Sequence, residues 1–342
     1  MILAIILLAG VVFWYFKNKN QQLEPKNVNT LPQNQNKNEN ATIASFNPKI
    51  CVWITPWNLS QSRQSLEENF VKIDQINPVA YEVISGKLQK RNADFSAILS
   101  FAKEKKIKVV PLISAGGREA ELAISDNNKN QLISEIIELS KDYDGMEIDF
   151  ENLPENFKTP YSTFTKLLGE RLKANGKSFS LTVFPKTKDD DNYPGTSSED
   201  YPTLAASADS IKIMAYDYHK LSGKAGPTSP KEWVGQVLQY ATAKIPKEKI
   251  ILALPLYGYS FSDNTVISSA TYQKMTSTAS AADVNIMRNQ GQPYFETGGK
   301  KYWFEDSLSI TDKYELAKSY DIGGLAFWYL GGEDQKIWQI FN

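Results

Sequence analysis

The chain has 342 residues but a single cysteine, Cys51, and a single histidine, His219. One cysteine excludes an internal disulfide framework and any cysteine-cluster metal site. Cys51 lies in an apolar run, where a buried free thiol is expected. One histidine argues against a zinc site, which usually needs two or three. No Gly-x-Ser-x-Gly elbow accompanies it, which argues against a Ser-His-Asp triad as well. Neither sign of charge is in excess: 38 Lys and Arg face 39 Asp and Glu, for a net charge of -1. That balance provides no electrostatic footprint for nucleic acid and no acidic tail. No metal and no cofactor is therefore expected, and chemistry is left to carboxylates and aromatic rings. The 17 Tyr, 16 Phe and 7 Trp suit sugar stacking and core packing alike.

Long apolar runs are also scarce. The one exception is residues 1–16, MILAIILLAGVVFWYF, followed by Lys17 and Lys19. As a helix this run reaches about 24 Å, slightly short of the ~30 Å hydrocarbon core. Trp14 and Tyr15 resemble interfacial anchors. A basic leading region and a small-x-small cleavage site are both missing, and Val11 stands where a lipoprotein box would have cysteine. The expectation is an uncleaved, single-pass N-terminal anchor in the cell membrane with an extracytoplasmic domain, or a secreted protein if the segment is cleaved. Lys17 and Lys19 run against that orientation, since the positive-inside bias would retain them. Residues 17–48 are rich in Asn, Gln and Lys without apolar period, which reads as a disordered tether.

From Lys49 onward apolar strand candidates alternate with helical stretches. The strands are KICVWIT (49–55), PVAYEVI (78–84), IKVVPLIS (107–114), GMEIDFE (145–151), SFSLTVF (178–184), DSIKIMAYD (209–217), KIILALPLYG (249–258) and GGLAFWYL (323–330). Alternation of this number and length implies an α/β fold, a (β/α)8 TIM barrel over 49–342, with a short irregular insertion at 259–302 between strands seven and eight. A doubly wound open sheet fits less well, because no Gly-x-Gly-x-x-Gly follows the first strand.

The fourth candidate strand is the unusual one. At period two, Met146, Ile148 and Phe150 face one way while Glu147, Asp149 and Glu151 face the other. Alone, this pattern also describes a half-solvated strand of an antiparallel sheet. As strand four of eight in a closed barrel, its acids point inward and advance toward the C-terminal rim, where barrel enzymes carry their catalytic groups. The same rim collects Gly116 and Gly117 after strand three, Tyr216 and Asp217 after strand six, Tyr257 after strand seven and Trp328 after strand eight.

These segments together resemble glycoside hydrolase family 18, the chitinase family. DGMEIDFE is similar to its DGxDxDxE signature, ISAGG to its third-strand Ser-x-Gly-Gly, MAYD to its sixth-strand Met-x-Tyr-Asp, PLYGY to its seventh-strand motif and AFW to its eighth-strand tryptophan. YDYHKLSGKAGPTSPKEWV and LAFWYLGGEDQKIW look closer to the bacterial spore-cortex and peptidoglycan-lytic branch. The resemblance implies a retaining glycosidase with substrate-assisted catalysis on β-1,4-linked, N-acetylglucosamine-containing glycan, working as a monomer. It casts Glu151 as general acid, Asp149 as its partner and holder of the 2-acetamido group, and Tyr216 as donor to the acetamido oxygen. Asp217, Trp328, Tyr257, Glu147, Gly116 and Gly117 would contact the sugar. The chain departs from the pattern at Glu147, where the family usually has Asp, and in its shorter insertion. The alternative is a membrane-tethered, non-hydrolytic glycan-binding barrel, but such relatives typically lose the terminal glutamate that Glu151 retains. The triplet Asp189-Asp190-Asp191 lacks EF-hand spacing and reads as a solvated turn.

Overall fold

The computed structural model describes residues 46–189 and 195–341, with the side chains of 221 and 222 left aside. The expected anchor and tether, residues 1–45 in large part, and Asp190 and Asp191 lie outside the described residues.

Eight parallel strand positions form the barrel. They are β1 (Lys49–Ile54), β2 (Gln75–Pro78), a third position in two pieces, β5 (Lys108–Val109) and β6 (Leu112–Gly116), then β7 (Gly145–Glu151), β8 (Ser178–Val183), β9 (Ser210–Met214), β10 (Ile250–Pro255) and β16 (Gly324–Trp328). Neighbours pair in parallel all the way from β6 through β7, β8, β9, β10, β16, β1 and β2 to β5. The ring closes because β5 and β6 are one stretch of chain interrupted at Val110-Pro111. Val110 N–H donates to Ile76 on one side, and Pro111 accepts from Glu147 N–H on the other. Proline has no N–H to give a ladder, which explains the interruption. Closure removes sheet edges, and the parallel arrangement demands cover on both faces.

Two apolar cores provide that cover. The larger lies between strands and helices and includes Ile50, Val52, Ile148, Phe150, Phe164, Leu181, Ile213 and Leu325. Phe150 stacks on Phe164 at 5.6 Å and on Tyr161 at 6.4 Å, pinning β7 to the helix Lys158–Ala174. The smaller core fills the barrel with Cys51, Trp53, Val79, Leu112, Ile251, Ala253 and Ala326. Cys51 is a buried free thiol.

Two element assignments differ from the expectation. PVAYEVI does not form the second barrel strand; β2 is Gln75–Pro78, and Tyr81–Ile84 is β3, one arm of an antiparallel hairpin with β4 (Lys87–Lys90). Pro78 ends the barrel strand, and the polar sequence Gln75-Ile76-Asn77 hid it, because Gln75 and Asn77 point into a polar layer of the interior. The insertion is not irregular. It is a five-stranded antiparallel sheet of β11 (Tyr257–Ser262), β12 (Thr265–Thr271), β13 (Met287–Asn289), β14 (Gln292–Thr297) and β15 (Lys300–Trp303), with the helix Tyr272–Ala281 packed on it. Gly258 sits where this sheet meets the chain beyond it: a Cβ there would fall 2.1 Å from the Trp303 carbonyl oxygen.

Candidate active site

β7 is the axis of the site. Its register sets Ser114 beside Asp149 and Gly116 beside Glu151 on β6, and Ser180 beside Glu147 on β8. Glu147, Asp149 and Glu151 therefore occupy successive inward layers, roughly 6.5–7 Å apart.

The lowest layer is closed to ligand. Glu147 is fully buried, and five donors converge on it. Trp53 Nε1 (2.7 Å) and Thr182 Oγ1 (2.8 Å) reach Oε1, while Asn77 Nδ2 (2.5 Å), Ser180 Oγ (3.1 Å) and Lys212 Nζ reach Oε2. Lys212 is equally buried and also lies 4.8 Å from the Trp53 ring. Glu147 was expected to contact substrate; instead it is a buried structural carboxylate, since no sugar reaches a side chain so enclosed.

Asp149 and Glu151 stand above it. Asp149 Oδ1 is buried and has no hydrogen-bond partner. Burial pushes the Asp149 carboxyl well above its usual range; Glu151, Glu147 and Glu199 push it further, and Lys212 opposes them. Burial likewise carries Glu151 up to about 7, with Lys220 opposing and Asp217 reinforcing. Adjacent acids that each resist ionisation titrate as a pair, and desolvation favours the protonated form of both. The Tyr216 hydroxyl is raised by burial and then by the charges of Asp149, Asp217 and Glu151, which keeps it a donor.

Asp217 follows Tyr216 with φ of 65°, the left-handed region that Asp tolerates better than most residues. Its Oδ1 accepts from the Tyr257 and Tyr259 hydroxyls and its Oδ2 from Lys220 at 3.0 Å. Tyr257, expected on the sugar, thus directs its hydroxyl at Asp217. Gly116 and Gly117 do reach the rim, but the Gly117 N–H donates to the Glu151 carbonyl at 2.9 Å and is occupied. Gly117 has φ of 50°, so glycine is needed there to turn the chain.

Trp328 lies across the barrel mouth, 5.6 Å edge-on from Trp53 and 6.3 Å from Trp57. Trp57 is 60% exposed and also meets Tyr329 at 6.0 Å, so the rim carries a partly exposed aromatic row. The triplet's described member, Asp189, accepts from Tyr240 (2.7 Å) and Lys244 (3.2 Å).

Sequence reasoning missed Glu199, Lys212, Lys220, Tyr259 and Trp57. Lys212 was legible, being on the inward face of its strand in step with Met214 and Tyr216. Glu199 was not. It comes from the loop after β8, where both of its oxygens accept from Phe184 N–H at 3.2 and 3.0 Å.

With this geometry in place, the family follows. Residues 11–333 match the family model described as glycosyl hydrolases family 18, and the chain belongs to that family; by class it is a glycosidase. It is 27% identical to an uncharacterized glycosylase, YvbX, of Bacillus subtilis, over 71% of this chain and 77% of that protein. It is 28% identical to the cortical fragment-lytic enzyme of Bacillus anthracis, over 62% of this chain and 52% of that protein, so it spans about half the length of that relative. The spore cortex-lytic enzyme SleL of Bacillus megaterium shares the fold with a TM-score of 0.78, at 24% identity over 88% of this chain and 74% of that one.

Proposed function

We propose that this glycosidase cleaves β-1,4 bonds of N-acetylglucosamine-containing glycan with retention, and that its polymer is peptidoglycan of the spore-cortex kind. The observation that carries the mechanism is the placing of Asp149 and Glu151 in successive inward layers of β7 beside Ser114 and Gly116, with desolvation raising both carboxyls, Glu151 to about 7. Glu151 gives its proton to the glycosidic oxygen as the C1–O bond breaks. The substrate's own acetamido oxygen attacks C1, forming an oxazolinium ion, as in the substrate-assisted exceptions to the two-carboxylate scheme. With the pair's proton carried by Glu151, Asp149 is the carboxylate that accepts the acetamido N–H and whose negative charge balances the cation. Tyr216 donates to the acetamido oxygen and aligns it. Water then opens the ion from the face the leaving group vacated, losing its proton to Glu151, and retention follows. Trp328 and Trp57 offer the apolar faces on which sugar rings stack.

The peptidoglycan assignment draws on the cortical fragment-lytic and cortex-lytic relatives. A chitin-like polymer carries the same acetamido group and would enter the same chemistry. We read residues 1–16 as a membrane anchor and 17–48 as the tether that lets a monomeric barrel reach cell-wall glycan. The test replaces Glu151 with Gln and measures release from a chromogenic N-acetylglucosaminide and from purified sacculi. A drop of about 100-fold or more is expected for loss of the acid; undiminished release would remove Glu151 from that role. Mass spectrometry of products from peptidoglycan and chitin oligomers identifies the polymer.

A further inference from the structure

The acidic strand carries three inward carboxylates, yet only two of them stand at the rim. The third, Glu147, sits one layer down and is met by donors from four other strands: Trp53 on β1, Asn77 on β2, Ser180 and Thr182 on β8, and Lys212 on β9. A carboxylate has about four acceptor sites and no proton to give. Five converging donors fill those acceptor sites, so neither oxygen of Glu147 is left open to a further partner. Lys212 supplies the only positive charge among them, and both members of the ion pair have side chains 0% exposed. A buried carboxylate without its cation would be costly.

We propose that Lys212 is a positioning residue for the Asp149–Glu151 pair: by pairing with Glu147 in the layer beneath, it offsets the negative charge under the two acids at the rim and so lets their proton leave for substrate. The inference rests on the catalytic reading of those two acids given above. Glu147 cannot serve as a hydrogen-bonding partner for Asp149 without losing one of its donors, and Asp149 Oδ1 indeed has no partner. Lys212 also offsets the negative charge that Glu147 would otherwise project upward. The charged and titratable groups around Asp149 are Glu151 and Glu147 on its own strand, Lys212 and Tyr216 from β9 and its end, Glu199 from the loop after β8, and Tyr161 from the helix Lys158–Ala174. Asp217 and Lys220 act on Glu151. Among those acting on Asp149, Lys212 is the cation that favours its ionisation, in line with the role assigned to it.

The test follows protonation of Asp149 and Glu151 directly, by carboxyl carbon-13 NMR titration of the full-length chain as wild type, Lys212→Gln and the double variant Glu147→Gln with Lys212→Met. Lys212→Gln keeps a donor and removes the charge. It should move the pair's midpoints upward by on the order of one pH unit, and the bell of kcat/KM against pH should move the same way. The double variant removes both charges and should titrate near wild type. A purely packing role predicts lower thermal stability with unmoved midpoints, and a folded Lys212→Gln with that behaviour overturns the proposal. If Lys212→Gln does not fold, Glu147→Gln alone decides: it leaves the Lys212 charge unopposed beneath the pair, so midpoints lowered by on the order of one pH unit support the proposal and unmoved midpoints overturn it. Glu151→Gln is the separate control. Wild-type turnover that survives that change refutes the catalytic reading, while the NMR midpoints still judge Lys212.

Discussion

Glu151 is where the chemistry and the stability of this protein pull in opposite directions. Its folded-state pKa is raised to about 7 from an ordinary 4.5, chiefly by burial. A carboxyl with a raised folded value favours the folded state fully below about 4.5 and loses that contribution as pH rises through about 7. Glu151→Gln, which cannot ionise, should therefore gain stability relative to wild type between about pH 5 and pH 8, a difference that urea unfolding across that range would read. Equal pH dependence of the two proteins would show that Glu151 does not carry the shift. Catalytically the sign is the same: loss of the general acid should bring kcat down above about pH 7. Trp57 offers a second residue-scale prediction. At 60% exposure its replacement by Ala should change stability by only about 0.5 kcal/mol. Affinity for glycan oligomers should nonetheless fall, measured by calorimetry with the inactive Glu151→Gln protein.

Among the elements, β7 does the most positioning. Its inward face holds the acids at three depths, and its outward face is fixed by Phe150, 2% exposed between Tyr161 and Phe164. Phe150→Ala should cost about 3–5 kcal/mol in chemical denaturation, as expected for a large core truncation. The strand's acid pair was legible in the sequence because period-two alternation is a local property. Its depth was not. That Glu147 is fully buried while Asp149 is only half-buried depends on Lys212, Trp53 and Asn77, which arrive from strands far away in sequence. The β5–β6 break and the displaced β2 were hidden for a related reason: polar Gln75 and Asn77 satisfy this interior layer and so do not look like barrel strand residues.

For the whole molecule, the insertion sheet and the barrel join at Tyr257-Gly258-Tyr259. The sheet contributes Tyr259, whose hydroxyl reaches Asp217 at 2.8 Å. Tyr259→Phe should thus weaken the hold on Asp217 and lower kcat/KM several-fold while the thermal unfolding midpoint changes little. Removal of residues 1–45 should leave turnover of a soluble chromogenic substrate unchanged, since the barrel strands and the site residues named above all lie beyond them; a large loss would tie the N-terminal segment to catalysis itself.

The sequence by itself determined the eightfold alternation, the identity of the acid pair and the aromatic and tyrosine groups that end strands six to eight. Each of these is written in local period or in contiguous motifs. Only the tertiary structure decided which carboxylates are sealed in the interior and which stand at the rim. Three acids on one strand are equivalent in a one-dimensional reading. In the closed barrel, the lowest is neutralised by a lysine from β9 and sealed by donors from three more strands. The upper two stand half-buried at the rim, where desolvation raises both carboxyls above their ordinary range.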